Sequence, residues 1–117
     1  MPGCLAELHA RLHRIPPEGD RLVHLDLHPG NVLLARRGPV VIDWTNASGG
    51  DPALDVALTW VICATSGGLA GRVFTQRFLR HVDREAARVA LPAAVAFRLA
   101  DGNVTEAERA RARRLLR

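Results

Sequence analysis

The 117-residue chain contains no lysine and no tyrosine. All sixteen basic side chains are therefore arginine, and the aromatic complement is three Phe and two Trp. Each lack excludes something. With so few rings, a core has to be assembled from Leu, Val, Ile and Ala, and no series of aromatic faces is available for stacking successive bases. Without lysine, no ammonium group is present to grip a phosphate. Cys4 and Cys63 are the only cysteines. They fall in no metal-binding spacing, so two buried thiols in a reducing cytoplasm are expected in place of a disulfide. No apolar run approaches the roughly 20 residues of a bilayer span. Met1 to Pro17 has no continuous apolar region of the signal-peptide kind. These lacks predict a cytoplasmic protein with no membrane partner.

What is present is ordinary for a globular protein: 48% hydrophobic and 24% charged residues in one domain's length of chain. The net charge of +4 suits an anionic ligand but reads better as compositional bias, because the arginines are scattered until the last turn of the sequence. That tail, Arg109 to Arg117, is the one feature pointing to nucleic acid. No aromatic residue interrupts it and no helix-turn-helix precedes it, which argues against a nucleic-acid partner and for a solvated terminal helix.

Function is concentrated in His24 to Asp43. The apolar pair Leu22-Val23 leads into a polar loop holding Asp26, His28 and Asn31, with Pro29-Gly30 between the last two. Val32-Leu33-Leu34 follows, then the turn Arg36-Arg37-Gly38-Pro39, then Val40-Val41-Ile42 ending on Asp43. Strand, loop, strand, turn, strand is the plain reading. It places two acids and an amide at strand ends. Phosphoryl transfer needs those groups: a base at the attacking hydroxyl and oxygen ligands for magnesium bridging the phosphates. Asp26 suits the base, and Asn31 and Asp43 suit the metal. Protein kinases carry H-R-D-L-x-x-x-N followed by an aspartate-led metal motif, matched here at His24, Asp26, Leu27 and Asn31.

The same residues resemble the aminoglycoside phosphotransferase family, with its choline kinase-like relatives. Its loop reads H-G-D-x-H-x-x-N, against H-L-D-L-H-P-G-N here, and its metal motif I-D-W matches Ile42-Asp43-Trp44. Its D-P-x-x-D element is matched by Asp51-Pro52-Ala53-Leu54-Asp55. Leu25 stands where the family usually has Gly. The resemblance implies an α+β fold: the mainly helical C-lobe of a protein-kinase-like fold, with a small antiparallel β element carrying the catalytic loop. It covers residues 1–117 loosely, as a single C-lobe-like domain, and 22–62 well. It implies ATP and Mg2+ as cofactors and a small-molecule hydroxyl acceptor. Asp26 and His28 would be catalytic, Asn31 and Asp43 would bind cofactor and metal, and His24 and Asp55 would give structural support. Neither the glycine-rich loop nor the lysine of such a kinase's N-lobe occurs here. Turnover would need an N-lobe or partner subunit, and the alternative is a non-catalytic remnant or scaffold lobe.

The remaining chain reads as helices. Leu5, Leu8, Leu12 and Ile15 give residues 3–15 one apolar face, closed by Pro16-Pro17 and the polar connection Glu18-Gly19-Asp20. His9 and His13 lie one turn apart. They could pair on a metal but read better as a solvated or packed pair, since no acid or third ligand has matching spacing. Thr45 to Gly50 reads as a flexible loop. Asp51-Pro52 is a strong helix start, and the helix to about Thr65 is apolar all round, hence buried. Asp55 on it either complements the helix dipole or, by the resemblance, accepts hydrogen bonds from the loop backbone. Further helices are predicted over 71–82 and 84–100, the latter kinked or split at Pro92. Asp101-Gly102-Asn103 reads as a turn, and Thr105 with Glu108 as a capping box.

Overall fold

The computed structural model describes residues 1–15 and 21–117. Pro16-Pro17 and Glu18-Gly19-Asp20 lie outside them. The elements run α1 (Pro2–Leu12), β1 (Arg21–Val23), a short 3-10 turn (Pro29–Asn31), β2 (Val32–Ala35), β3 (Gly38–Val41), β4 (Ser48–Gly50), α2 (Pro52–Ser66), α3 (Gly68–Leu79), α4 (Arg84–Leu99) and α5 (Glu106–Arg114). This is a helix-rich α+β architecture. Among the described residues no helix is long and apolar enough to cross a membrane.

The β content divides into two two-stranded antiparallel sheets, β2 with β3 and β1 with β4. The first is the expected hairpin, with Val32 opposite Val41 and Ala35 opposite Gly38. The second corrects the sequence reading, which had Thr45 to Gly50 as a flexible loop. Ser48 pairs with Val23 and Gly50 with Arg21. Pairing there is a backbone matter, and Gly50 lets the strand close on Val23: a Cβ at 50 would sit 3.1 Å from a Val23 methyl. The loop His24–Asn31 therefore runs from one sheet to the other.

Helix α2 is the central element, packing on α3, α4 and α5. Its start is as the sequence suggests: Asp51 caps it by accepting from the Ala53 N–H at 2.9 Å, and Pro52 occupies the first turn. Two apolar clusters flank it. Leu5, Leu8, Leu27, Val32, Phe78 and Leu79 form one; Ala57, Leu58, Val61, Leu91, Ala94 and Val95 form the other. Among the described residues Phe78 is the one Phe or Trp with a fully buried side chain, so small and aliphatic residues build most of the core.

Four helix expectations need correction. Helix α1 spans Pro2–Leu12 and not 3–15, and Ile15 is exposed. Helix α3 spans Gly68–Leu79 and not 71–82. Gly68 turns the chain at φ +61, and at Gly71 a side chain would collide with the Cys63 carbonyl, so these glycines let α3 start directly against the end of α2, which closes at Ser66. Helix α4 runs unbroken through Pro92. Pro92 and Arg88 both lie on the exposed face, where water can satisfy the carbonyl that proline leaves unbonded. Helix α5 is less solvated than expected. Ala112 is buried, Arg111 donates to the Thr65 carbonyl at 2.7 Å, and Arg109 donates to the carbonyls of Leu99 and Asp101. Its start is the expected cap, the Glu108 N–H donating to Thr105 Oγ1 at 3.2 Å. Both cysteines are free, Cys63 buried and Cys4 half-buried, and burial pushes the Cys63 thiol up to about 12.

Candidate active site

The loop His24–Asn31 is held from beneath by Asp55. This carboxylate is fully buried. Its Oδ2 accepts from the His24 N–H at 3.0 Å and its Oδ1 from the Leu25 N–H at 2.8 Å. His13 Nε2 lies 2.8 Å from Oδ2. Burial alone would raise the Asp55 pKa, but the hydrogen bonds and charges gathered on it outweigh that and hold it well below the usual carboxylate range. An acid in that setting is ionised and braces the loop by two backbone bonds. The geometry contains both sequence readings for Asp55: it lies in the first turn of α2, and it accepts from the loop backbone.

Leu25 adopts φ 69, a left-handed conformation that glycine takes without penalty. A glycine at this position in related loops therefore has a physical reason, and the Asp55 bond to Leu25 N–H helps hold the conformation here. His24 is fully buried. Its Nδ1 accepts from the Asp26 N–H at 3.1 Å, so Nε2 carries the proton and donates to the Ile42 carbonyl at 2.9 Å. The Ile42 N–H in turn donates to the Asn31 carbonyl at 2.9 Å. These two bonds tie the loop to the strand end that presents Asp43, and the Trp44 ring lies 4.9 Å from the His24 ring.

Around Asp26 the polar side chains converge. Asn31 Nδ2 donates to the Asp26 carbonyl at 2.9 Å and to Asp26 Oδ2 at 3.2 Å. His28 Nδ1 accepts from the Gly30 N–H at 3.1 Å, which leaves its Nε2 3.6 Å from Asp26 Oδ1. Burial lowers the His28 pKa, opposed by the Asp26 charge. A Cβ at Gly30 would lie 2.8 Å from His28 Cε1, so a side chain there would displace the His28 ring. Asp43, at φ 58, is exposed and accepts from the Thr45 hydroxyl at 2.8 Å.

Asp26 and Asp43 line one cleft of about 460 Å³, together with Thr45, Asn46, Asp101 and Asn103. The last two come from the α4–α5 turn, where Asp101 Oδ1 accepts from the Asn103 N–H at 2.9 Å. The cleft thus brings together the two sequence-predicted acids and a turn that the sequence reading recognised only as a turn. No spacing signal links residues 101–103 to Asp26; their meeting depends on how α4 crosses α2. His28 lines a different, apolar cavity with Cys63 and Phe74. The cleft's donor set is three carboxylates, two amides and a hydroxyl, a hard-oxygen set of the kind magnesium takes.

The chain matches the phosphotransferase enzyme family, APH, over residues 2–90. Among curated proteins it is 41% identical over 51 residues to the thiamine kinase of Escherichia coli O1:K1 / APEC, covering 44% of this chain and 17% of that enzyme. It is 43% identical over 54 residues to the thiamine kinase of E. coli SMS-3-5, covering 44% of this chain and 20% of the relative. With the thiamine kinase of Shigella boydii serotype 4 it shares 44% identity over 39 residues, 33% of this chain and 14% of the relative. The matched stretch is thus a fifth or less of each of these kinases. No solved structure matches the chain. The family match takes in more than half of the chain, from α1 into α4 and with it the whole Asp55-braced loop, so the protein belongs to the phosphotransferase enzyme family.

Proposed function

We propose that the chain is the catalytic-loop-bearing C-lobe of a protein-kinase-like small-molecule kinase, which moves the γ-phosphate of ATP to a substrate hydroxyl in the cytoplasm. The observation that carries this is that Asp26 and Asp43 open on one cleft in a member of the family. Asp26 is the base that accepts the hydroxyl proton. Its carboxylate is oriented by Asn31 Nδ2, which leaves the Asn31 amide oxygen as the end that a cation takes. Asn31 and Asp43 would hold Mg2+, which when bound would supply charge neutralisation at the nucleotide phosphates. His28, 3.6 Å from Asp26, positions that group. His24 and Asp55 keep the loop in place. The acceptor is a small molecule bearing a hydroxyl, and thiamine is the first to assay because the matched relatives are thiamine kinases.

The phosphate-gripping lysine has to come from outside these 117 residues, from an N-lobe or a partner subunit, because the sequence has none. The β2–β3 hairpin supports that reading. Leu33 and Leu34 are neighbours on opposite faces of one strand, yet are 53% and 84% exposed. A two-stranded ribbon that packs on the core at its Val32 end and leaves Leu33 and Leu34 open on opposite faces beyond it suits a covering partner. The same hairpin favours the second reading, a non-catalytic lobe that works as a scaffold.

Thermal melting with and without Mg-ATP separates the two. A ligand bound by the folded state alone raises the midpoint by mass action. The kinase reading expects a magnesium-dependent rise that disappears in Asp43→Asn, and transfer to thiamine or another alcohol that falls at least 100-fold in Asp26→Asn once a lysine-bearing lobe is supplied. No rise, and no transfer in the presence of that lobe, leaves the scaffold reading.

A further inference from the structure

A second cluster lies on the other side of the Asp55 brace. His9 and His13 stand at i and i+4 on α1, and one ligand atom from each of His9, His13 and Asp55 lies within 4.8 Å of the others. The hydrogen bonds fix the state of His9. Thr59 Oγ1 donates to the Leu27 carbonyl at 2.6 Å, so its one proton is committed. His9 Nε2, 2.7 Å away, must then be the donor to Thr59, and His9 Nδ1 carries the bare lone pair. That nitrogen is buried with no hydrogen-bond partner among the described residues. It faces Asp55 Oδ2 at 3.6 Å, with His9 1% exposed and Asp55 fully buried. A lone pair set against a carboxylate oxygen in a dry interior is unfavourable unless a cation lies between them.

We propose that His9 Nδ1, His13 Nε2 and Asp55 Oδ2 form a binding site for a divalent transition-metal ion, with zinc the best-fitting member. Two imidazoles and one carboxylate suit zinc and exclude magnesium, which asks for oxygen. Tetrahedral bonds of about 2.0–2.1 Å place ligand atoms about 3.3 Å apart. The observed 3.6 Å from His9 Nδ1 and 2.8 Å from His13 Nε2 to Asp55 Oδ2 bracket that distance. Paired histidines one helical turn apart are a recurrent zinc arrangement. The Nε2–H bond to Thr59 holds the His9 ring with Nδ1 inward, the outer-shell support that metal-bound histidines have. An entry path exists: His9 and His13 line a cavity of about 490 Å³, bordered also by His81, Asp51 and Val56. Water in that cavity completes the coordination. The cavity shares no residue with the Asp26–Asp43 cleft, yet the ion shares Asp55 with the His24 and Leu25 backbone, so occupancy is felt in the loop.

The test uses the full 117-residue chain. Zinc titrated against a competing chromophoric chelator is expected to bind one-to-one and to raise the melting midpoint where magnesium does not. His9→Gln and His13→Gln are each expected to weaken it at least about 100-fold, beyond what the loss of an outer-shell partner produces. Cobalt in place of zinc is expected to give visible bands of a four- or five-coordinate ion without a thiolate charge-transfer band. An anomalous peak at the zinc edge in crystals of the unsubstituted protein is expected between His9, His13 and Asp55, a readout that stands even if either variant fails to fold. The proposal is overturned by the absence of one-to-one binding, by unchanged affinity in both folded variants, by a thiolate band from Cys4 or Cys63, or by an anomalous peak elsewhere.

Discussion

Asp55 and Asp43 belong to the same short D-W…D-P-x-x-D stretch and live under opposite conditions. Asp55 is fully buried, holds two backbone N–H groups and a histidine, and has its pKa driven down. Asp43 is exposed, sits at the end of a hairpin and accepts from one threonine hydroxyl. One acid is built into the fold and the other is presented to a cleft. The difference teaches how a loop is made rigid without using its reactive groups. The bracing carboxylate acts on the backbone from behind, so the Asp26 side chain stays directed to Asn31 and to the cleft.

The comparison breaks most visibly if Asp55 is removed. Asp55→Ala leaves the His24 and Leu25 N–H groups buried without partners and is expected to cost about 3–5 kcal/mol, the range for breaking a buried charged network. Urea denaturation followed by circular dichroism measures it; a loss under about 1 kcal/mol would mean the buried acid is not a brace. Thr59→Val tests the next layer. It keeps the volume but strands the Leu27 carbonyl and the His9 Nε2–H, and is expected to cost about 2 kcal/mol, read from the shift in urea midpoint at constant m-value.

How much of this was legible in the sequence follows from the range of each interaction. Asp51-Pro52 announces α2 because capping and proline geometry are local. The loop residues Asp26, His28 and Asn31 were legible as a set because their order and spacing are themselves the signal, and the hairpin to Asp43 because apolar runs flank a Gly-Pro turn. Strand β4 was not, since Ser48-Gly49-Gly50 has no side chain that favours a strand and is ordered only by pairing with β1. Pro92 misled for the opposite reason: its local rule is real, but α4 packs on α2 and α5 along one face and carries the proline on the other. His9 and His13 read as a pair without an acid because Asp55, forty-two residues beyond His13, has no sequence relation to them. Asp101 and Asn103 entered the cleft in the same way, through packing.

The pH dependence of stability sharpens the comparison with a smaller effect. Burial lowers the His9 pKa from the usual 6.5, more than Asp55 and its neighbours raise it. With the folded value below the unfolded one, the unfolded chain takes up the proton first on acidification. The His9 contribution is therefore complete above pH 6.5 and declines as pH falls below it, by at most about 1.4 kcal/mol per unit for one proton. Asp55, with its folded pKa also depressed, adds a loss in the same direction once pH falls below the ordinary carboxylate value. The melting midpoint is expected to drop between pH 7.5 and 5, and His9→Gln is expected to flatten that part of the profile. A midpoint that rises on acidification would contradict both assignments.

The smallest stability effect is expected at the acid given the largest chemical role. Asp43→Asn preserves shape and tolerates φ 58, which asparagine adopts readily. It keeps an oxygen for the Thr45 hydroxyl and leaves no buried group unpaired. Stability should change by no more than about 0.5 kcal/mol, as for other exposed substitutions, measured in the same urea titrations as Asp55→Ala. A large loss would mean that Asp43 also holds the hairpin end in place, through Thr45 or the neighbouring Trp44–His24 contact, and the division between a bracing acid and a presented one would fail. A negligible loss together with an absent Mg-ATP response in the same variant would separate the two functions of carboxylate within this one loop system: Asp55 for the shape of the loop, Asp43 for what the loop holds.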